Sequence, residues 1–279
     1  MASERALGVY LVASLGGIAV CPRAAGAQTR DLRADPALDI TVTGIGAAAW
    51  VASELFEPRL APTRCRWCEV DGADREVREA LVWSRPDLAD ALSNVSAFAL
   101  APLAAVGLDA VAASHEGALG KVPVDAMLVV EAAVIATDVN MLAKILVGRE
   151  RPFVHALAPE EKDHTSRPFD NNASFFSGHA TETFALAAAA GTLSTMRGYR
   201  WAPLVWGTGG AVAAVTGYLR IAADRHWLTD VVVGALVGSG IGIGVPLLFH
   251  RPEATTATAT ATGGLSLPPP RPVTITIAW

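Results

Sequence analysis

Long uncharged runs of apolar residues constrain the fold of this chain more than any other feature of its sequence. The runs 201–219 and 231–249 each contain nineteen residues without a charge, which is enough to cross a bilayer core of about 30 Å. Hydrophobic residues make up 52% of the chain and charged residues only 18%. This composition is typical of membrane helices or of a very apolar helical core.

Six apolar stretches of helical length divide the chain. They are 38–56, 92–113, 124–148, 179–196, 201–220 and 227–249. We interpret the polar segments 57–91 and 149–178 as loops, with one short amphipathic helix at 74–83. The third stretch carries charged residues, including Glu131 and Lys144, which must face a protein interior or a cavity because exposure to lipid is costly. We therefore expect an all-α, six-helix bundle, either spanning the membrane or forming a compact apolar domain associated with it.

The two ends of the chain differ from the helical domain, which we place at 28–252. Residues 1–27 resemble a signal peptide, with Arg5, an apolar run at 6–20 and small residues at 25–27. The segment 253–279 is rich in Ala and Thr and ends in an alternating, strand-like pattern, but its composition favours disorder. The protein is therefore expected in a bacterial-type cell envelope.

Cys65 and Cys68 are the two cysteines that remain if Cys21 leaves with the signal peptide. In an exported protein, the favoured interpretation of this spacing is a local structural disulfide. A redox-active pair usually opens a helix of a thioredoxin-like unit, and a zinc site would need two further ligands. The spacing by itself leaves all three interpretations open.

Three short blocks carry residues suited to chemistry on a tetrahedral oxyanion. They are Lys144-x6-Arg151-Pro152, Ser177-Gly178-His179 and Arg220-x5-His226-x3-Asp230. The lysine and the two arginines can bind the anion, and the backbone N–H groups of Ser177 and Gly178 open a predicted helix whose dipole favours negative charge. Each block lies at the end of a predicted helix, so a bundle can gather all three on one side.

The spacing of the histidines indicates their roles. His226 and Asp230 lie four residues apart and so share one helix face, where the aspartate can hold one imidazole nitrogen while the other points at a substrate. His179 can reach a leaving oxygen from the first turn of its own helix. Taken singly, such residues are ordinary caps or snorkelling cations. The remaining histidines, His115, His155, His164 and His250, are interpreted as surface or loop residues.

Together, the blocks resemble the signature of the type 2 phosphatidic acid phosphatase superfamily, which also includes vanadium-dependent haloperoxidases and bacterial non-specific acid phosphatases. The resemblance covers residues ~120–250. It implies a helical bundle that hydrolyses phosphomonoesters or pyrophosphate through a phosphohistidine, without a metal or other cofactor. His226 would be the nucleophile, Asp230 its orienter and His179 the general acid. The phosphoryl oxygens would be held by Lys144, Arg151, Ser177, Gly178 and Arg220.

Two positions depart from the family's pattern. Phe176 stands where the family has proline, and Leu219 stands where it has serine before the arginine. The first change could loosen the turn before Ser177, and the second could alter the bonding of Arg220. Neither removes a catalytic group, so activity is still expected.

The expected function is a membrane-associated phosphatase acting on a lipid phosphate or pyrophosphate. One alternative is a vanadium-dependent haloperoxidase, for which vanadate would be the cofactor. Another is a non-catalytic helical membrane protein that keeps the motif as structure. With a net charge of -5, the chain lacks the basic surface that nucleic acid requires.

The predicted topology contains a conflict. If all six stretches cross the membrane after a cleaved signal, the loops 57–91 and 149–178 face the cytoplasm, where disulfides are rare. The resemblance implies instead an active site that faces the periplasm. Either the signal is not cleaved, or the stretch 38–56 does not cross. The second choice is attractive because only fourteen uncharged residues separate Asp39 from Glu54.

Overall fold

The computed structural model describes residues 29–253, and every regular element within that range is helical. The helices are α1 Pro36–Leu60, α2 Gly72–Leu81, α3 Pro86–Val95, α4 Ala101–His115, α5 Val122–Val147, α6 Pro152–His155, α7 Gly178–Arg197, α8 Ala202–Ala222 and α9 Leu228–Phe249. A π-helical turn, Ser96–Leu100, joins α3 to α4 in one continuous helix, Pro86–His115.

The all-α prediction is confirmed. The six predicted stretches correspond to α1, to the continuous helix α3–α4, and to α5, α7, α8 and α9, while the predicted amphipathic helix at 74–83 corresponds to α2. The segment 149–178 contains the short α6 and two 3₁₀ turns. The predicted signal peptide and all but the first residue of the predicted tail lie outside the described residues.

Capping residues set where the helices begin and end. Asp35 accepts hydrogen bonds from the N–H groups of Ala37 and Leu38 and so begins α1. Gly148 ends α5 in the left-handed conformation, with φ 65°, which glycine adopts without strain. The chain therefore turns sharply after Lys144, and the second half of the first motif block folds back toward the ends of its neighbours.

Helix α7 forms the centre of the bundle, with 15 of its 20 residues buried. It packs against α4, α5, α8 and α9. Its middle, 185–190, consists of alanines apart from Leu186, and these small side chains let neighbouring helices approach closely. The motif residues at the start of α7 are consequently surrounded by the ends of several other helices.

Glycines at every fourth position of α9 bring its backbone against α7. A Cβ atom on Gly238 would lie 2.2 Å from the carbonyl oxygen of Thr181, which no real contact allows. Gly234 and Gly242 are comparably close to the carbonyl oxygens of Ser177 and Ala185. Because a spacing of four places these glycines on one helix face, they fix the start of α9 beside the start of α7.

Three helices have the length and apolar composition of membrane spans: Pro86–His115, Leu119–Val147 and Leu228–Phe249. The predicted run 231–249 lies in this set. Among the described residues, α1, α7 and α8 do not meet the same criterion, although 201–219 on α8 was predicted to be able to cross. Large apolar side chains are exposed along α1, α4, α5 and α9. Such an exterior is typical of a surface that faces lipid, and it supports a membrane protein.

The Gly238→Ala variant tests the contact between α7 and α9. The added methyl group must push the two helices apart, and overpacking of this kind costs about 1–3 kcal/mol. We expect a lower thermal midpoint for the purified protein in detergent. The matched control is Gly240→Ala, where a Cβ meets no atom within 4 Å. Equal midpoints for the two variants would contradict the close packing.

Candidate active site

A cavity of about 370 Å³ lies at the end of the bundle where α5 and α8 end and α7 and α9 begin. All three predicted motif blocks contribute to its wall. The motif residues that line it are Lys144, Arg151, Gly178, His179, Arg220 and His226. The other two, Ser177 and Asp230, are fully buried behind this wall. The structure thus gathers residues that are separated by more than eighty positions in the sequence.

His226 is held in one orientation between α8 and α9. Its Nδ1 lies 2.8 Å from the carbonyl oxygen of Ser174, and since a carbonyl only accepts, Nδ1 carries the proton. Nε2 therefore holds the lone pair and lies 3.3 Å from Nη1 of Arg151. Burial, followed by the charges of Arg151 and Arg220, keeps the pKa of His226 well below its usual value. The imidazole is consequently neutral at neutral pH, as a nucleophile must be.

Asp230 contacts His226 differently from the sequence prediction. Its Oδ2 lies 3.7 Å from Nδ1 of His226, which is too far for a hydrogen bond. Oδ2 instead accepts from Oγ of Ser174 at 2.5 Å and from the N–H of Trp227 at 2.9 Å. Because Ser174 also offers its carbonyl to His226, the aspartate positions the histidine through the Ser174 residue rather than directly.

Arg149, which the sequence analysis did not single out, pairs with Asp230. Its guanidinium donates to Asp230 Oδ1 and to Asp74 Oδ2, both at 2.6 Å, and only 1% of the Arg149 side chain is exposed. The ring of Trp67 lies 4.0 Å from the guanidinium carbon. Both carboxylates are at least 75 residues away in the chain, so no local pattern identifies this ion-pair cluster.

The cysteine loop packs beside this cluster. The structure joins Cys65 and Cys68 in a disulfide, the favoured interpretation of the sequence. Between them, the N–H of Trp67 donates to the carbonyl of Gly148, and its carbonyl accepts from the N–H of Glu150. The loop therefore rests on the turn that carries Arg149 and borders the active-site end of the bundle.

The predicted phosphate-binding cations keep donors available for an anion. Arg220 donates from Nη1 to Asp90 and to Oγ of Ser93, while its buried Nε has no partner among the described residues. Nζ of Lys144 likewise makes no hydrogen bond or ion pair within residues 29–253, and it lies near Gly178. Nζ of Lys144 can therefore donate to a bound oxyanion without first breaking an existing bond.

Carboxylates hold the arginines of the cavity in place. Asp170 accepts from Nη2 of Arg151 at 2.6 Å, and Asp90 bridges Arg220 and Arg225. Burial alone would raise the pKa of Asp170, but Arg151 and Lys144 outweigh it and lower the pKa. The cavity wall contains five cations and five acids: Lys144, Arg151, Arg167, Arg220 and Arg225, with Glu54, Glu57, Asp90, Asp170 and Glu182. Anion binding therefore depends on the placement of donors and not on an excess of positive charge.

The backbone N–H of Ser177, which was predicted to bind phosphate, is already hydrogen-bonded in the turn before α7. The N–H of Ser177 donates to the carbonyl of Asp230 at 3.0 Å, and Oγ of Ser177 caps the helix at the N–H of Ala180. The structure therefore does not support the Ser177 amide as a phosphate ligand, because Asp230 already occupies it. The N–H of Gly178 opens the helix and lacks an intrahelical partner by its position, and Gly178 lines the cavity.

Asn140 supports the same turn and was not identified from the sequence as part of the site. Its Nδ2 donates to the carbonyl of Phe176 at 2.7 Å. A Cβ on Gly178 would lie 2.9 Å from Oδ1 of Asn140, so glycine is needed for this approach. Phe176, one of the two departures from the family pattern, is buried in this turn. Leu219, the other departure, packs in an apolar cluster with Ala89.

His179 faces the cavity from the first turn of α7. Its Nε2 lies 2.7 Å from Oδ1 of Asn94, and its ring meets the ring of Phe98 edge-on at 5.1 Å. Neither neighbour was predicted, because both come from the continuous helix 86–115, more than eighty positions away along the chain. Phe98 is 54% exposed, so the apolar exterior of the bundle reaches His179.

The comparisons with known proteins agree with the motif. A sequence model described as the PAP2 superfamily matches residues 125–253, which include all three blocks. The match covers less than half of the 279 residues. No curated protein matches the chain. Among solved structures, the chain is similar to one described as the first transmembrane PAP2 type phosphatidylglycerolphosphate phosphatase from Bacillus subtilis. The two share 17% identity at a TM-score of 0.46, over 74% of this chain and 93% of that one.

The Arg149→Lys variant tests whether the ion-pair cluster positions the candidate active site. Lysine keeps the charge but cannot donate to Asp74 and Asp230 with the planar fork of arginine. We expect the folded protein to lose roughly 10-fold or more in kcat, a magnitude seen when supporting hydrogen bonds are removed. The control is Arg64→Lys, since Arg64 is exposed. Wild-type kcat for Arg149→Lys would contradict the positioning role.

Proposed function

We propose that the protein is a PAP2-type phosphatase that hydrolyses phosphate esters or diphosphates, with His226 as the nucleophile. One observation carries this proposal: a buried, neutral imidazole is held at Nδ1, while its Nε2 lies beside Arg151 in a cavity that Lys144 and Arg220 also line. A fixed nucleophile next to several cations suits attack on an anionic phosphoryl group.

The proposed reaction has two steps. Nε2 of His226 attacks phosphorus, the bond to the leaving oxygen breaks, and His179 gives that oxygen a proton. Water then attacks the phosphohistidine and loses a proton to His179, which regenerates both histidines and releases inorganic phosphate. Lys144, Arg151, Arg220 and the N–H of Gly178 would stabilise the charge that develops on the transferred oxygens.

We propose that this reaction uses no metal ion or other cofactor. The cations that would stabilise the phosphoryl group are side chains already in the cavity wall. The acids nearest to them, Asp90 and Asp170, are engaged with arginines. A site for Mg²⁺ or for two metals would instead direct several carboxylates toward one point.

A lipid phosphate or lipid diphosphate is the proposed substrate class. The same cavity wall that carries the cations also contains Trp50, Phe98 and Met141. Phe98 and Met141 belong to two of the candidate membrane spans, and Phe98 is largely exposed. A molecule with an anionic head and an apolar chain could therefore place its head among the cations and its chain along the exterior.

We further propose that the active site faces the periplasm. The Cys65–Cys68 disulfide lies at the same end of the bundle as the cavity, and disulfides persist in oxidising compartments. This orientation is compatible with an α1 that does not cross the membrane, and α1 lacks the apolar composition of a span.

A substrate panel tests the reaction and the substrate class together. Purified protein in detergent, in excess EDTA, is offered a lipid phosphate, a lipid diphosphate, a sugar phosphate and p-nitrophenyl phosphate. We expect the highest kcat/KM for a lipid substrate and inhibition by vanadate, which resembles the phosphoryl transition state. A strict need for Mg²⁺ would contradict the mechanism, and a preference for the soluble esters would contradict the lipid proposal. Bromide oxidation by the vanadate-loaded protein would favour the haloperoxidase alternative.

The His226→Ala variant tests the nucleophile. Turnover should fall by at least about 10³-fold, because nothing replaces a lost nucleophile. A rapid denaturing quench of the wild type, followed by mass spectrometry under conditions that preserve phosphohistidine, should find the phosphoryl group on His226. The control is His164→Ala, since His164 is exposed and does not line the cavity. Phosphorylation that persists in His226→Ala would disprove the assignment.

Thiol labelling tests the orientation. Intact and permeabilised cells are treated with a membrane-impermeant thiol reagent, with and without prior reduction. We expect Cys65 and Cys68 to react in intact cells, and only after reduction, because they are joined and face the periplasm. Free thiols that react only after permeabilisation would place the active-site end of the bundle in the cytoplasm.

A further inference from the structure

We propose that Asp39, Glu131 and His250 form a binding site for a divalent transition-metal ion of the Zn²⁺ class, separate from the active site. Asp39 lies in the first turn of α1, and His250 directly follows α9. Glu131 lies in α5, thirteen residues before Lys144, which corresponds to about 20 Å along the helix axis. The site is therefore near the opposite end of the bundle.

All three side chains are buried and lack partners for the atoms that face one another. Their exposed fractions are 4% for Asp39, 5% for Glu131 and 3% for His250. Within the described residues, Oδ2 of Asp39, Oε2 of Glu131 and Nε2 of His250 accept or donate no hydrogen bond. One ligand atom from each residue lies within 4.8 Å of the other two. Leaving such atoms unpaired in a protein interior is costly, so a cation between them would supply what they lack.

The orientation of His250 favours a metal over a direct ion pair. Its Nδ1 lies 3.2 Å from the carbonyl oxygen of Arg33, to which it donates, so that Nε2 can present a lone pair. Metal-bound histidines usually donate their other N–H to a carbonyl or a carboxylate in this way. Nε2 is 3.6 Å from Oε2 of Glu131, which is too long for a hydrogen bond. Two ligands of a tetrahedral Zn²⁺ ion, each bonded at about 2.1 Å, are separated by about 3.4 Å.

The ligand set indicates the class of ion. One imidazole nitrogen and two carboxylate oxygens suit Zn²⁺ and similar first-row ions better than Mg²⁺ or Ca²⁺, which prefer all-oxygen sites. Three protein ligands leave a fourth position for water. Sequence analysis predicted no metal and interpreted His250 as a surface or loop residue. His250 does lie in a loop, directly after α9, but it is buried and not on the surface.

The ion would join the first and last described segments of the chain. Beside the cluster, the N–H of Arg33 donates to the carbonyl of Arg251, and the N–H of Glu253 donates to the carbonyl of Asp31. A metal bound by Asp39, Glu131 and His250 would add a connection from both of these segments to α5. Because the cluster lies about 20 Å from Lys144 along α5, the ion should contribute to stability and not to turnover at the candidate active site.

Metal analysis of the full-length protein in detergent tests the proposal. The protein is reconstituted with Zn²⁺, dialysed, and analysed by mass spectrometry for bound metal, alongside Glu131→Gln, His250→Asn and the control His115→Asn. We expect about one Zn²⁺ per chain in the wild type and the control, and at least about tenfold less in the two site variants. Co²⁺ in place of Zn²⁺ should give the visible absorption of a low-symmetry site in the wild type.

Thermal midpoints and turnover separate this site from the active site. Protein prepared without Zn²⁺ should melt at a lower temperature and regain its midpoint on Zn²⁺ addition, while kcat stays unchanged. A wild type that binds no Zn²⁺ and gives no Co²⁺ spectrum would overturn the proposal. A proton shared among Asp39, Glu131 and His250 would then explain why these side chains lie together. Equal Zn²⁺ content in the wild type and in the folded site variants would overturn it as well. If the site variants do not fold, the wild-type stoichiometry and the Co²⁺ spectrum still decide the question.

Discussion

The buried ion pair between Arg149 and Asp230 is the contact on which the candidate active site depends. Removing one partner of such a pair leaves an uncompensated charge in the interior, at a cost of roughly 3–5 kcal/mol. Arg149 extends the pair to Asp74 on α2, and Asp230 extends it to Ser174. Four segments that are distant in the sequence are thereby held in one arrangement. The carbonyl of Ser174 then sets the tautomer of His226, so the state of this proposed nucleophile depends on a charge that does not touch it.

Helix packing and the polar cluster act on the same few residues. The glycine contacts between α7 and α9 place Gly234 against the carbonyl of Ser177, while Ser177 donates its N–H to the carbonyl of Asp230. The helix ends are therefore fixed by backbone contact, and the side chains are fixed by buried carboxylates. Catalytic groups held from both sides have little freedom to leave the reactive geometry, and such preorganisation lowers an activation barrier.

The sequence predicted the helices and part of the cavity wall, but not the contacts that support it. Apolar runs identify helices because burial and membrane insertion both require them, and the three motif blocks identify six residues that line the cavity. The carbonyl of Ser174 could not be predicted, because every residue has a carbonyl and nothing in the sequence marks this one. Asp74 and Asn94 could not be predicted either, since they reach the site across 75 or more positions of the chain. The burial of the loop residue His250 was not predicted for the same reason.

A structure of the protein with bound vanadate tests the central claim most directly. Vanadate takes the trigonal-bipyramidal geometry of phosphoryl transfer, so it should bond to the atom that attacks phosphorus. We expect a covalent bond from vanadium to Nε2 of His226, oxygens within hydrogen-bond distance of Arg151, Arg220 and Lys144, and Nδ1 still donating to the carbonyl of Ser174. Vanadium bonded to His179, or held in the cavity without a bond to either histidine, would contradict it.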